Sequence, residues 1–309
     1  MLTVIGEALI DEVRRPGGEP IPHVGGSPMN VAVGLARLGL AVEFLGRYGQ
    51  DDYGQLIEAH LRENSVLMPL PPDHLPTSIA AAELAEDGSA TYRFDLAWQL
   101  PELEPERFQA TTLLHTGSIA AMLDPGAATV HGAVLAARGH ALISYDPNCR
   151  PSIVADRELA RERAEYFVRI ADIVKASDED LAWLYPDREP EATAEAWLKL
   201  PEGPAMVVLT RGAQGPWGVA AAGVAEVPAP RVDVADTVGA GDSFMSALLF
   251  AITERGLSGA QHRQRLRRIS REELTEMLDY AAAAAAITVS RPGADPPRRA
   301  ELTARTSLH

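Results

Sequence analysis

Short apolar runs alternate with amphipathic stretches along most of the chain. Leu2–Ile10 reads as a buried strand, and Pro28–Leu38 as a helix with apolar residues at Val31, Val33, Leu35 and Leu38. Val42–Gly46 and Tyr53–Glu63 repeat that pair. Alternation resumes with Leu113–Thr116, Thr129–Arg138, Ala141–Asp146, Glu158–Ile170, Ile173–Ala176, Glu191–Leu200 and Met206–Thr210, strand before helix throughout. Such a series predicts an α/β fold: a doubly wound, mostly parallel sheet with helices on both faces. Two places break the rhythm. Thr77–Leu96, with Asp87-Gly88-Ser89 at its middle, predicts a hairpin, and Val219–Ala222 with Gly223–Val227 predicts a second. The last helices are expected over Phe244–Arg255, Arg271–Ile287 and after Pro297. With no internal repeat and no long linker, residues 1–309 are expected to form one domain carrying a small β lid from about 12–24 and 77–98.

Composition narrows the partners. With 28 Lys+Arg against 43 Asp+Glu the net charge is −15, which disfavours nucleic acid or an anionic membrane as a partner. The basic block His262–Arg271 carries no interleaved aromatic residue and reads as a solvated helix or loop. A single cysteine, Cys149, excludes an intramolecular disulfide and suits a reducing, cytoplasmic setting. Leu2–Ile10 is interrupted by Glu7, so it is read as a strand and not as a signal peptide, and Ala281–Val289 is too short to span a bilayer. Neither lysine, Lys175 or Lys199, sits in a Gly-Lys-Ser/Thr context, so any phosphate site is not a P-loop.

The candidate chemistry lies in two glycine-rich segments. Asp236-Thr237-Val238-Gly239-Ala240-Gly241-Asp242 leads into an apolar helix. Gly239 and Gly241 permit turn conformations that gather N–H groups, and a helix start favours an anionic oxygen there. Asp242 itself has two readings, an N-cap or a base that takes the proton of a hydroxyl. Gly25-Gly26-Ser27-Pro28-Met29-Asn30 reads locally as a turn with Ser27 as N-cap, or as a close approach to a ligand with the Asn30 amide in a crevice shared with Asp11. One Asp and one Asn suit the vicinal hydroxyls of a neutral sugar. The first strand lacks G-x-G-x-x-G, which excludes a dinucleotide oxidoreductase.

These segments, with Gly6–Asp11, Asp146-Pro147-Asn148-Cys149-Arg150, Ala171–Lys175 and Gly293-Ala294, resemble in order and spacing the ribokinase-like (PfkB) carbohydrate kinases, most closely the bacterial fructokinases. The resemblance covers nearly the whole chain. It implies an ATP-dependent transfer to a primary hydroxyl of a small sugar, with D-fructose first and 2-keto-3-deoxygluconate or ribose as alternatives. A sugar-binding regulator without turnover is the alternative from another class. It further implies Asp242 as base, the N–H groups of Gly239, Ala240, Gly241 and Asp242 as anion hole, and Asp11, Gly25, Gly26 and Asn30 around the sugar. Arg93 or Phe94 would reach the substrate from the lid, and Arg150 would meet transferring charge or a substrate carboxylate. The nucleotide is expected near Thr210, Gly212, Gly215, Gly293 and Ala294, with Arg211, where relatives commonly have Gly, either reshaping that turn or contacting a phosphate. Mg²⁺ is expected with the ATP and near Asp180. A K⁺-type ion is implied beside Asp236 and the carbonyls of Val238 and Gly293, and a homodimer through the lid. His23, near that lid, is the one histidine singled out.

Overall fold

The computed structural model describes residues 1–14, 19–84 and 90–306. Its main sheet has the order β12-β11-β10-β9-β8-β7-β1-β4. These strands are β1 (Leu2–Ile5), β4 (Val42–Leu45), β7 (Leu113–Gly117), β8 (Leu142–Asp146), β9 (Ile173–Ser177), β10 (Met206–Thr210), β11 (Trp217–Ala220) and β12 (Gly223–Glu226). From β4 to β10 every pairing is parallel, and β11 and β12 add an antiparallel edge. Side chains alternate between two cores, as a sheet covered on both faces requires. Val4 and Leu142 join one and Ile5 and Ile143 the other.

Helices α1 (Ser27–Arg37), α2 (Asp52–Glu63), α7 (Ala240–Glu254) and α9 (Arg271–Val289) pack on the first face. Helices α3 (Gly126–Ala137), α4 (Arg157–Ile170), α5 (Asp178–Leu184) and α6 (Pro190–Leu198) cover the second. The short α8 (Arg263–Leu266) and α10 (Arg299–Thr306) complete the set. Polyalanine in α9 lets it lie close against α7, whose Phe250 stacks on Tyr280.

A second sheet, order β3-β2-β5-β6, is built from β2 (Leu9–Arg14), β3 (Ile21–Gly25), β5 (Ile79–Leu84) and β6 (Ala90–Asp95). The Asp87-Gly88-Ser89 turn expected between β5 and β6 lies outside the described residues. Leu2–Ile10 is therefore not one strand. It bends at Gly6-Glu7-Ala8 and passes from the main sheet into the small one. A Cβ on Gly6 would lie 2.3 Å from the Pro28 ring, and the Glu7 carboxylate accepts the Ala120 N–H. The interruption at Glu7 falls at this corner, but nothing in the residue pattern shows that the chain passes there into a second sheet. Arg47 ties together the segments that enter β5 and leave β6: its guanidinium is bidentate on Asp73 and donates to the carbonyls of Leu75, Pro76 and Ala97.

The basic block holds the short α8 and exposed arginines such as Arg265 and Arg268, but two of its arginines turn inward. Arg263 forks onto the buried Asp172 and donates to the carbonyls of Arg138 and Ala141, while Arg267 donates to that of Gly203. These arginines tie the start of α9 to the sheet. Among the described residues no helix is long and apolar enough to cross a membrane.

Candidate active site

The two glycine-rich segments meet. Gly239 takes the left-handed φ of 73° that a residue with a Cβ rarely adopts, and α7 begins at Ala240. A Cβ on Gly239 would fall 2.6 Å from that of Ala294, so the C-terminal Gly293-Ala294 turn forms the floor of this loop. Asp242 is thus the third residue of α7 and not its N-cap. Its carboxylate, nearly buried, accepts Ser27 Oγ–H on Oδ1 at 2.6 Å and Asn30 Nδ2–H on Oδ2 at 2.8 Å. Ser27 is not an N-cap either. Gly26, with φ 118°, holds that place, and Ser27 is the first helical residue of α1. Asn30, expected to point its amide into the crevice, gives an N–H to Asp242.

The first turn of α7 supplies main-chain N–H groups with no partner four residues back. Of the four assigned to an anion hole, that of Ala240 donates to the Thr237 carbonyl at 3.3 Å. Beneath the turn lies Lys175, a residue the sequence reading did not single out for the site. Its Nζ is 2.6 Å from Asp146 Oδ2 and 3.0 Å from where a Gly241 Cβ would be. Burial pushes Asp146 up, to about 6, despite Lys175. The same burial opposes the Lys175 charge, yet Asp146, with Asp180 and Asp242 beyond it, holds the ammonium above its ordinary range. Lys175 thus brings positive charge to the turn where a phosphate would sit.

Asp11 faces Asp242 from the small sheet. Burial pushes it up to about 6, with Arg150 and His23 pulling the other way. Gly25 makes room for it, since a Cβ there would lie 2.2 Å from Asp11 Oδ2. Glu7, fully buried behind it, is raised by desolvation to about 7, against Ser118, the Ala120 N–H and Arg150. Arg150 itself is exposed and donates to Asn148 Oδ1 at 2.8 Å. Strand register corrects one assignment. Asp11 pairs with His23 and Ala80, and Ala80 with Phe94, so these share a face. Arg93 aligns with Ala81 and Glu12 on the opposite face. The lid residue beside Asp11 is Phe94, with His23, and not Arg93.

Beyond the end of β10, Gly212 opens a short 3₁₀ turn and is exposed. Gly215 is buried against the Val227 carbonyl, 2.1 Å from a would-be Cβ, which makes it a packing residue. Arg211 is held by Glu191 at 3.0 Å, by Glu226 and by the Gly215 carbonyl, so it shapes the turn and does not wait for a phosphate. Asp180 is spent as well. It accepts the Cys149 N–H at 2.6 Å and closes a capping box with Ser177, and no described group of acidic, His or Cys residues has the makings of a metal site. Asp236 accepts the N–H groups of Val238 at 3.0 Å and Gly293 at 2.9 Å, which gathers the three residues named for a monovalent ion.

Residues 1–300 match the pfkB family carbohydrate kinase. The chain belongs to that family. This kinase is 33% identical over 266 residues to a fructokinase of Rhizobium leguminosarum bv. trifolii, covering 82% of this chain and 79% of the relative. It is 31% identical to an Escherichia coli fructokinase, with 94% of each chain covered. A crystal structure of a fructokinase with bound ATP from Xylella fastidiosa superposes with a TM-score of 0.87 at 26% identity, over 100% of this chain and 99% of that one. The fold of this carbohydrate kinase is therefore that of the ribokinase-like sugar kinases, and its activity is phosphoryl transfer to an alcohol.

Proposed function

We propose that the kinase transfers the γ-phosphate of ATP to a primary hydroxyl of a small neutral sugar, D-fructose first among them. The observation that carries this reading is Asp242. It stands in the first turn of α7 with the anion-binding turn on one side and Asp11 and Asn30 on the other. In the reaction Asp242 takes the proton of the acceptor hydroxyl, and the new oxygen–phosphorus bond forms as the bond from the γ-phosphorus to the bridging oxygen of ADP breaks. The N–H groups of Gly239, Gly241 and Asp242, with Lys175 below, hold charge on the moving phosphoryl group. Asp11 accepts sugar hydroxyls, and the small sheet closes over them to exclude water. Thr210, Gly212 and the Gly293-Ala294 turn bound the nucleotide side. Mg²⁺ bound to the nucleotide's phosphates would supply charge neutralisation there. The Asp236, Val238 and Gly293 carbonyl cluster takes a K⁺-type ion, and the exposed β3 edge near Ile21 fits a dimer contact, which the mass in solution checks.

One observation favours a second substrate class. Arg150 lies close enough to Asp11 and Glu7 to weaken their burial penalties, so a sugar acid such as 2-keto-3-deoxygluconate would find a cation there. Release of ADP across D-fructose, D-ribose and 2-keto-3-deoxygluconate decides between them. Asp242→Asn should keep the KM values near normal and lose on the order of 10²–10⁴ in kcat. Normal turnover in that variant would remove Asp242 from the chemistry.

A further inference from the structure

Asp242 meets two side-chain donors from one helix. Ser27 and Asn30 are three residues apart on α1, hence on one face, and each takes a different carboxylate oxygen. The terminal torsion of an aspartate is broad and nearly two-fold, so an untethered carboxylate samples many planes. Two donors on opposite oxygens fix that plane. Their own positions are set by close backbone contacts. Gly26 is pressed against the Glu7 carbonyl, 2.5 Å from a would-be Cβ, and Gly34 against Ser246 Oγ of α7 at 2.3 Å. The first holds the start of α1 and the second its distance from α7.

The two donors differ in what else they do. Asn30 has a carbonyl oxygen on its amide besides the N–H it gives to Oδ2, so an acceptor hydroxyl approaching Oδ2 would share that oxygen with it. Ser27, at the start of the helix, has one hydrogen to give, and it gives it to Oδ1. We propose that Ser27 is a positioning residue for the base: its hydroxyl anchors Oδ1 of Asp242 so that Oδ2 is turned to the acceptor hydroxyl. Ser27 keeps its own proton through the cycle, and the proton from the sugar goes to Oδ2. The proposal rests on Asp242 being the base, and it deepens that reading by naming what aims it.

The test compares Ser27→Ala, Ser27→Thr and Asp242→Asn in the full chain, with the sugar that gives the highest turnover. Ser27→Ala should lower kcat and kcat/KM together by about tenfold, the size of one hydrogen bond to a charged group, while the KM values for sugar and ATP stay within about twofold. The melting temperature should hold within about 2 °C, and Ser27→Thr, which keeps a hydroxyl, should recover most of the rate. Should the alanine variant fold poorly, Ser27→Cys supplies a weaker donor of similar shape and an intermediate kcat is expected. A wild-type kcat in Ser27→Ala, a loss confined to sugar KM, or no rescue by threonine would each overturn the proposal. If Asp242→Asn is inactive and Ser27→Ala is normal, only the role of Ser27 falls; if Asp242→Asn turns over normally, the base reading falls with it.

Discussion

Asp11 and Gly25 show how one side chain is made usable by the absence of another. Asp11 keeps its carboxyl where it is because Gly25 lacks a Cβ, which would lie only 2.2 Å from Asp11 Oδ2. Asp11→Ala should raise the sugar KM by roughly 10–100-fold, the worth of a charged hydrogen-bond acceptor, with a smaller change in kcat. Initial rates against sugar concentration check it, and an unchanged KM would move the sugar away from β2. The type of residue at each such position was legible in the sequence, but its task often was not. Asp242 reads equally as a cap or a base, because the contacts that decide it come from Ser27 and Asn30, 215 and 212 residues away. Arg93 was attractive as a cation on the lid, yet face is set by register with β5, which composition does not reveal. Asp180 and Arg211 carried charge suited to metal or phosphate, and local hydrogen bonds consumed both.

Elements were read more securely than side chains, since the period of a buried strand or an amphipathic helix survives in a single sequence. The β8 and β9 strands were expected nearly where they lie, but the consequence of their pairing was hidden. It sets Lys175 against Asp146, both almost wholly buried, with three strands on either side of the pair in the sheet. Such a pair contributes little net stability while intact and much when one partner is removed. Lys175→Met should therefore cost about 3–5 kcal/mol in urea unfolding, with Asp146→Asn/Lys175→Met together costing less than the sum of the single changes. Additive losses would mean the two groups do not interact. The elements that escaped notice were short ones, such as α5 and the 3₁₀ turns, together with the corner at residues 6–8. Each spans too few residues for a period to show.

At the scale of the molecule, Glu7 stands where two sheets join, and its burial makes their union sensitive to pH. Its folded pKa, about 7, lies above the ordinary 4.5, so the folded state binds this proton more tightly. The stability it contributes is complete below about pH 4.5 and is lost as pH rises through 7. Asp11 acts with the same sign between 3.8 and about 6. Between pH 4.5 and 8 the wild type should lose on the order of 3 kcal/mol relative to Glu7→Gln, which has no proton to lose. Parallel pH profiles of unfolding free energy for the two proteins would show that Glu7 is not the group responsible.

The long separation between Ser27 and Asp242 also reaches into synthesis of the chain. At about 5–20 residues per second, a ribosome needs roughly 10–40 s to pass from one to the other. During that interval the nascent chain carries Ser27, and soon Asn30, but lacks the carboxylate they hold. The hold of Ser27 and Asn30 on Asp242 therefore forms only when α7 has left the ribosome and docked on α1.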